Sequence, residues 1–123
     1  MQVDPRRVLV GVPALDEENA IETCLRSLLE GAEEMRDVRI VVADGGSRDR
    51  TREIVAELAR DWSNVRLIDN PDRLQSAAMN RIVEAEAMPD HDILVRCDAH
   101  SIYPPGYVVQ VVRALHIPSQ GFI

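Results

Sequence analysis

Apolar residues along the chain alternate between two spacings. Val8 to Val12 is a continuous β-prone run, the pattern of a strand buried on both faces. Between Asn19 and Glu30 the period changes. Ile21, Cys24, Leu25, Leu28 and Leu29 recur at i, i+3, i+4, i+7 and i+8, the stripe of an amphipathic helix, and Gly31 is placed to stop it. Val38 to Ala43 predicts a second strand. Ser47, Asp49 and Thr51 are candidate N-caps for a second helix whose inner face reads Ile54, Val55 and Leu58. Val65 to Ile68 is a short third strand closed by Asn70-Pro71. Leu74 to Ala87 predicts a third helix with Leu74, Ala77, Ala78, Ile82 and Ala85 turned inward. Ile93 to Cys97 is the fourth strand, and Tyr103-Pro104-Pro105-Gly106 is a turn that launches a fourth helix from about Tyr107 to Leu115.

The order βαβαβαβα calls for right-handed crossovers and a mainly parallel sheet with helices on both faces, an α/β, Rossmann-like fold. With 123 residues and no internal linker or repeat, one domain is expected. His116 to Ile123 leads toward a further element that does not come. The pattern therefore predicts a sheet cut short, whose open edge favours a dimer.

Composition narrows the function. An apolar content of 46% with 28% charged residues is that of a soluble globular protein. A net charge of -7 and only 3% aromatics argue against nucleic acid as a partner, since there is neither a basic stripe nor a stacking platform. Arg48, Arg50 and Arg52 do cluster, but Asp49 and Glu53 interrupt them. No apolar run approaches the ~20 residues that span a bilayer. The N-terminus lacks a signal-peptide core, so a cytoplasmic location is expected. Cys24 and Cys97 have neither disulfide-framework nor zinc spacing and read as buried thiols.

The chemistry gathers where strands end: Pro13-Ala14-Leu15-Asp16-Glu17 after the first, Asp44-Gly45-Gly46-Ser47 after the second, Asp98-Ala99-His100 after the fourth. Parallel strands share one carboxyl edge, where open α/β sheets bind ligands. Glu17, Asp44, Asp98 and His100 are thus expected around a single crevice. Neither common phosphate cradle is present: G-x-G-x-x-G does not follow the first strand and G-x-x-x-x-G-K-[ST] is absent, which demotes a dinucleotide oxidoreductase or a P-loop enzyme. Asp98 and His100, two residues apart, offer a carboxylate and an imidazole to Mg²⁺ or Mn²⁺, the imidazole suiting Mn²⁺ better. Such a cation would cancel repulsion between Asp98 and a diphosphate and support the phosphate as leaving group. The alternative is a turn cap at Asp98 and a solvated His100. Asp44 suits a pyrimidine N–H or a ribose hydroxyl, or equally the amides of Gly46 and Ser47. Glu17 and Glu18 open a helix, where the dipole favours acids whatever the function. Arg73 is positioned to approach a base or a phosphate, or else to pair with Asp72 or Asp69. His91 and His116 read as surface positions.

Three segments, Val10-Gly11-Val12-Pro13-Ala14-Leu15-Asp16-Glu17-Glu18, Val41-Val42-Ala43-Asp44-Gly45-Gly46-Ser47-Arg48-Asp49-Arg50-Thr51 and Val95-Arg96-Cys97-Asp98-Ala99-His100, resemble in order and spacing the family 2 glycosyltransferases with the GT-A fold. The likeness runs from Arg7 onward, and the family's motifs usually read P-x-x-N-E-E, D-D/G-G-S-x-D-x-T and D-x-D. The resemblance implies inverting transfer of a sugar from a nucleotide donor, a UDP-sugar, to a saccharide or lipid-linked acceptor in polysaccharide biosynthesis. It implies that Pro13, Ala14, Leu15 and Glu17 line the uridine pocket and that Asp44 reads the base with Arg73 beside it. Asp98 and the residue two further on would handle ribose, diphosphate and a divalent cation. Asp16 stands where the family usually has Asn, and His100 replaces the second Asp, lowering the negative charge of the cation site. Asp-Ala-His followed by Tyr103-Pro104-Pro105 looks like the subgroup that builds bacterial exopolysaccharides such as succinoglycan.

Members of the family continue with an acceptor half that brings the general base, and many end in membrane helices. Residues 1–123 are accordingly expected to be a partial GT-A domain, the donor-binding half, with longer relatives at the inner face of the membrane. Glu17, Asp44 and Asp98 are all claimed by the donor, which leaves no catalytic base. Two rivals stand beside this expectation. One is a non-catalytic nucleotide-binding module, which the missing base favours for the chain in isolation. The other is a nucleotidyltransferase, which would want a Gly-rich, Arg/Lys-bearing loop where Pro13-Ala14-Leu15-Asp16 stands.

Overall fold

A computed structural model describes residues 3–91 and 93–115. Strands β1 (Val8–Ala14), β2 (Arg39–Asp44), β3 (Val65–Asp69) and β4 (Ile93–Arg96) form one sheet in the order β3-β2-β1-β4, with every neighbouring pair parallel. Helices α1 (Ile21–Leu29), α2 (Thr51–Asp61) and α3 (Gln75–Glu86) link successive strands, and α4 (Tyr107–Ala114) follows β4. The expected α/β architecture is therefore correct. Two short 3₁₀ turns, Pro5–Arg7 and Glu33–Asp37, carry no periodic signal and were not anticipated.

Burial explains why the strands read as they do. β1 is central and covered on both faces, so all but Pro13 of its residues are buried and its sequence is an unbroken apolar run. β4 lies at an edge with one face covered, and Ile93, Leu94, Val95 and Arg96 alternate inward and outward. On one side of the sheet Val8, Val10, Val12, Ile40 and Val42 pack with Leu25 and Leu28 of α1, Val55 and Leu58 of α2, and Val108 and Val112 of α4. On the other, Leu9, Val41 and Ala43 meet Ala78 and Ile82 of α3. The single helix on that second side leaves Leu94, in register with Leu9, 47% exposed at its margin.

The departures from expectation have local causes. Helix α1 starts at Ile21 rather than Asn19 because the Glu17 carbonyl accepts the amides of both Ala20 and Ile21, closing a turn first. Leu74 precedes α3 and is 66% exposed, and Ala85 is exposed as well. Gly11 instead makes room for Met79, whose Cε would lie 2.8 Å from an added Cβ. Gly31 does not stop α1 by a left-handed turn; Glu30 caps it with ordinary right-handed backbone. Gly31 is needed for space, since a Cβ there would sit 2.3 Å from the Gly106 amide nitrogen and 2.6 Å from the Pro105 Cα. Both obstacles are backbone, so Gly31→Ala is expected to destabilise by about 3 kcal/mol, the upper range for overpacking, in urea denaturation. Val83→Ala, at a half-exposed position, should stay within ~0.5 kcal/mol. The segment 116–123, His116 included, lies outside the described residues. Among the described residues no helix is long and apolar enough to cross a membrane.

Candidate functional site

The chain runs outward from β1 through β2 to β3, then returns to place β4 on β1's other side. At such a reversal the connecting loops leave in opposite directions and open a crevice at the carboxyl ends of the strands. Register brings those ends level: Ala14 lies beside Asp44 and Asp44 beside Asp69, while the Cys97 amide bonds the Gly11 carbonyl at 2.9 Å. An open crevice of about 200 Å³ lies there, lined by Pro13, Ala14, Leu15 and Glu17 after β1, Arg73 and Gln75 after β3, and Asp98 and His100 after β4. Ala43, Asn70 and Ala99 complete its wall.

Asp44 stands at the same sheet edge but not on that wall. It is 1% exposed, and its Oδ2 accepts the amides of Gly46 (3.1 Å) and Ser47 (2.9 Å) and the Arg52 guanidinium (3.2 Å). Its Oδ1 accepts the Ser47 hydroxyl. Burial alone would raise this carboxyl, but those donors outweigh it and hold it below the usual carboxylate range. Arg52 also reaches Asp69 at 2.7 Å, so the cation is shared between two acids.

The Asp98–His100 loop is anchored from beneath. The Asp98 amide donates to the Tyr103 hydroxyl at 2.7 Å, and its carbonyl accepts the Cys24 thiol at 3.2 Å. Burial pushes Cys24 up to about 12, Cys97 up to about 11 and Tyr103 up to about 12, so all three are neutral and Cys24 keeps the proton it donates. Both cysteines are buried and free, as their spacing implied. Above this anchor the Asp98 and His100 side chains are exposed, and His100 Nδ1 lies 3.5 Å from Glu17 Oε2.

No three His, Cys, Asp or Glu side chains converge as a ready cation cage among the described residues. Asp98 and His100 on one rim nevertheless fit a hard cation of the kind that takes one or two protein ligands and leaves its other positions to water and phosphate oxygens. Arg73, on a left-handed backbone (φ 65°) that a bulky side chain rarely takes, lines the crevice; Arg52 and Arg81 are the partners of Asp69 and Asp72.

Two lining residues had no sequence signal of their own. Gln75 opens α3 and bonds Arg96. In the sequence Asn70 reads only as a strand-closing residue. It is 2% exposed, and its Nδ2 donates to the Leu74 carbonyl at 3.0 Å. A carbonyl can only accept, so this bond fixes which end of the amide is oxygen. That oxygen, Oδ1, is buried and has no partner among the described residues. Its position at the carboxyl end of a parallel strand was the one available hint.

The glycosyl transferase family 2 pattern matches residues 9–122. The chain is 43% identical over 105 residues to the succinoglycan biosynthesis protein ExoA of Rhizobium meliloti, covering 85% of this chain and 31% of that protein. A mannosyltransferase from Pyrobaculum calidifontis, solved with GDP-Man and Mn²⁺, superposes with a TM-score of 0.78 at 27% identity over 94% of this chain and 35% of its own. Glucosyl-3-phosphoglycerate synthase from Mycobacterium tuberculosis, solved with Mn²⁺, UDP and glucosyl-3-phosphoglycerate, gives 0.69 at 25% identity, covering 89% and 39%. The chain thus spans about a third of the length of these relatives. By the family match along nearly its whole length, the chain belongs to glycosyl transferase family 2.

Proposed function

We propose that this chain is the donor-binding half of an inverting glycosyltransferase of polysaccharide biosynthesis, taking a UDP-sugar together with Mn²⁺ or Mg²⁺. The observation that carries the reading is the single crevice at the strand-order reversal, which gathers Pro13, Ala14, Leu15, Glu17, Arg73, Asp98 and His100. Its volume of about 200 Å³ falls below the roughly 300–1,000 Å³ of complete small-molecule sites. That suits a pyrimidine base and ribose better than a whole nucleotide-sugar. Asn70 Oδ1 is the acceptor we assign to the base N–H, with Asp44 bracing the turn behind it.

Asp98 and His100 would hold the cation, with Glu17 beside His100. When bound, the cation supplies the positive charge that two acids on the wall, in a chain of net charge -7, deny to a diphosphate. Arg73 adds the chain's own cation at the same rim. The succinoglycan protein is the relative that supports the polysaccharide context, and the UDP and Mn²⁺ of the mycobacterial synthase support the donor.

Calorimetric titration with UDP, with Mn²⁺ and then with a chelator, tests the reading, and GDP serves as the purine comparison. UDP is expected to bind in Mn²⁺, at least about tenfold more weakly without it, and more tightly than GDP. Absence of UDP binding in both conditions would end the proposal. A second reading, nucleotide binding without transfer by these residues alone, is favoured by one observation. Among the described residues the crevice wall carries two carboxylates, Glu17 and Asp98, and the proposal assigns both to the donor, leaving none there for an acceptor hydroxyl. Sugar release from a UDP-sugar by this chain alone would eliminate it. The β4 edge, unpaired among the described residues and with Leu94 beside it, supports self-association, which light scattering would report.

A further inference from the structure

Resting on that reading, we infer that Thr51, with Ser47 and Asp49, is a positioning residue that sets the pocket-lining segment Leu15 to Glu17 against the crevice. Three successive amides after β1 are each taken by a side chain from the loop after β2 or from the first residue of α2. Asp16 N–H donates to Ser47 Oγ at 2.8 Å, Glu17 N–H to Thr51 Oγ1 at 2.8 Å, and Glu18 N–H to Asp49 Oδ2 at 3.1 Å. The pairing is returned: Asp16 Oδ1 accepts the Arg48 amide at 2.8 Å and Glu18 Oε2 the Arg50 amide at 3.2 Å.

Helix capping accounts for only part of this: Asp49 Oδ1 accepts the Thr51 amide at 2.9 Å where α2 begins, while its Oδ2 takes the Glu18 amide. The residue before α2, Arg50, makes no side-chain cap, and the Thr51 hydroxyl donates to Asp49 Oδ1 while accepting from Glu17, so both of its bonds serve the clasp. Thr51 is fully buried, so its hydroxyl has no water to turn to. Ser47 Oγ likewise joins the Asp44 carboxylate to the Asp16 amide. Asp16 keeps its left-handed backbone (φ 52°) between two of these bonds. Glu17 is thereby held at its amide by Thr51 while its carboxylate faces His100 at 3.5 Å. The clasp ties the base end of the crevice, through Asp44 and Ser47, to the cation end, through Glu17.

The test uses Thr51→Val, which keeps shape and deletes the hydroxyl, Thr51→Ser, which keeps the hydroxyl, and Val55→Ala as a destabilised core control. Two readouts are taken: UDP affinity in Mn²⁺, and hydrogen exchange at the Glu17 amide without ligand. Thr51→Val is expected to weaken UDP about tenfold and to deprotect the Glu17 amide, with Thr51→Ser within about twofold of the parent, the scale of one buried hydrogen bond. Val55→Ala should lower the melting temperature yet leave the UDP affinity unchanged. Parental affinity and protection in Thr51→Val, or equal losses in the Val and Ser variants, would overturn the inference. If the parent chain binds no UDP at all, the proposed function falls, and the Glu17 exchange rates decide the positioning claim alone.

Discussion

Asp98→Ala is expected to remove the cation-dependent part of UDP binding, weakening affinity in Mn²⁺ by about a hundredfold. Losing a metal's outer-shell partner already costs about 10–100-fold, which sets a floor for a direct ligand. The substitution is clean because the loop is held by its backbone. The Asp98 amide and carbonyl remain bonded to Tyr103 and Cys24 when the carboxylate is gone. His91→Ala is the matched control. His91 lines a separate recess with Arg6, Asp37 and Arg39, and its Nδ1 accepts the Met88 amide at 3.0 Å. It should leave UDP binding unchanged. Calorimetry on both variants checks this; equal weakening by the two, or equal weakening of Asp98→Ala with and without Mn²⁺, would remove Asp98 from the cation site.

The second large effect is on stability. Asp44→Ala deletes the acceptor for two amides, a hydroxyl and a guanidinium at one buried point. Arg52 keeps Asp69 and is half exposed, and Gly46 can turn to water, so the loss is expected to be about 3 kcal/mol rather than the sum of four charge-assisted bonds. In urea this moves the midpoint down by roughly 1–3 M. The sign with pH follows from the lowered carboxyl. A group depressed in the folded state stabilises fully above its unfolded value, about 3.9, and the contribution disappears as pH falls through the folded value. Stability curves of the parent and Asp44→Asn should therefore run apart at neutral pH and converge in acid. Parallel curves down to pH 2 would mean that the Asp44 charge adds nothing to folding.

Much of this architecture was legible in the residues because burial and period are coupled. A central strand covered on both faces must be apolar throughout, as β1 is, and a helix on a sheet must show a stripe, as α1 does. The crevice was legible for a related reason: parallel strands can only present their carboxyl ends on one side. What could not be read depended on contacts between loops distant in sequence. Asp44 was equally a base reader or a turn cap from its type alone, and only the Ser47 and Arg52 bonds reveal how its oxygens are used. Asn70 carried no chemical signal until the Leu74 carbonyl fixed its amide. Gly31 looked like a helix terminator because nothing in the sequence announces that Gly106 passes within contact distance of it. Ser47, Asp49 and Thr51 read alike as caps; Asp49 does bond the Thr51 amide where α2 begins, but all three also reach across to the loop after β1.

The position of β1 between β2 and β4 bears on how the chain assembles as it is made. Its β2 partner follows closely during translation, whereas Val8 must wait for Ile93, far later in the sequence, before its other side is satisfied. The first three strands can condense early, but the middle of the sheet stays half-paired until β4 emerges, and loop-closure entropy makes that docking the slow event. A nascent chain arrested before residue 93 would therefore carry its most apolar strand bare along one flank, the state in which a chaperone has the most to hold.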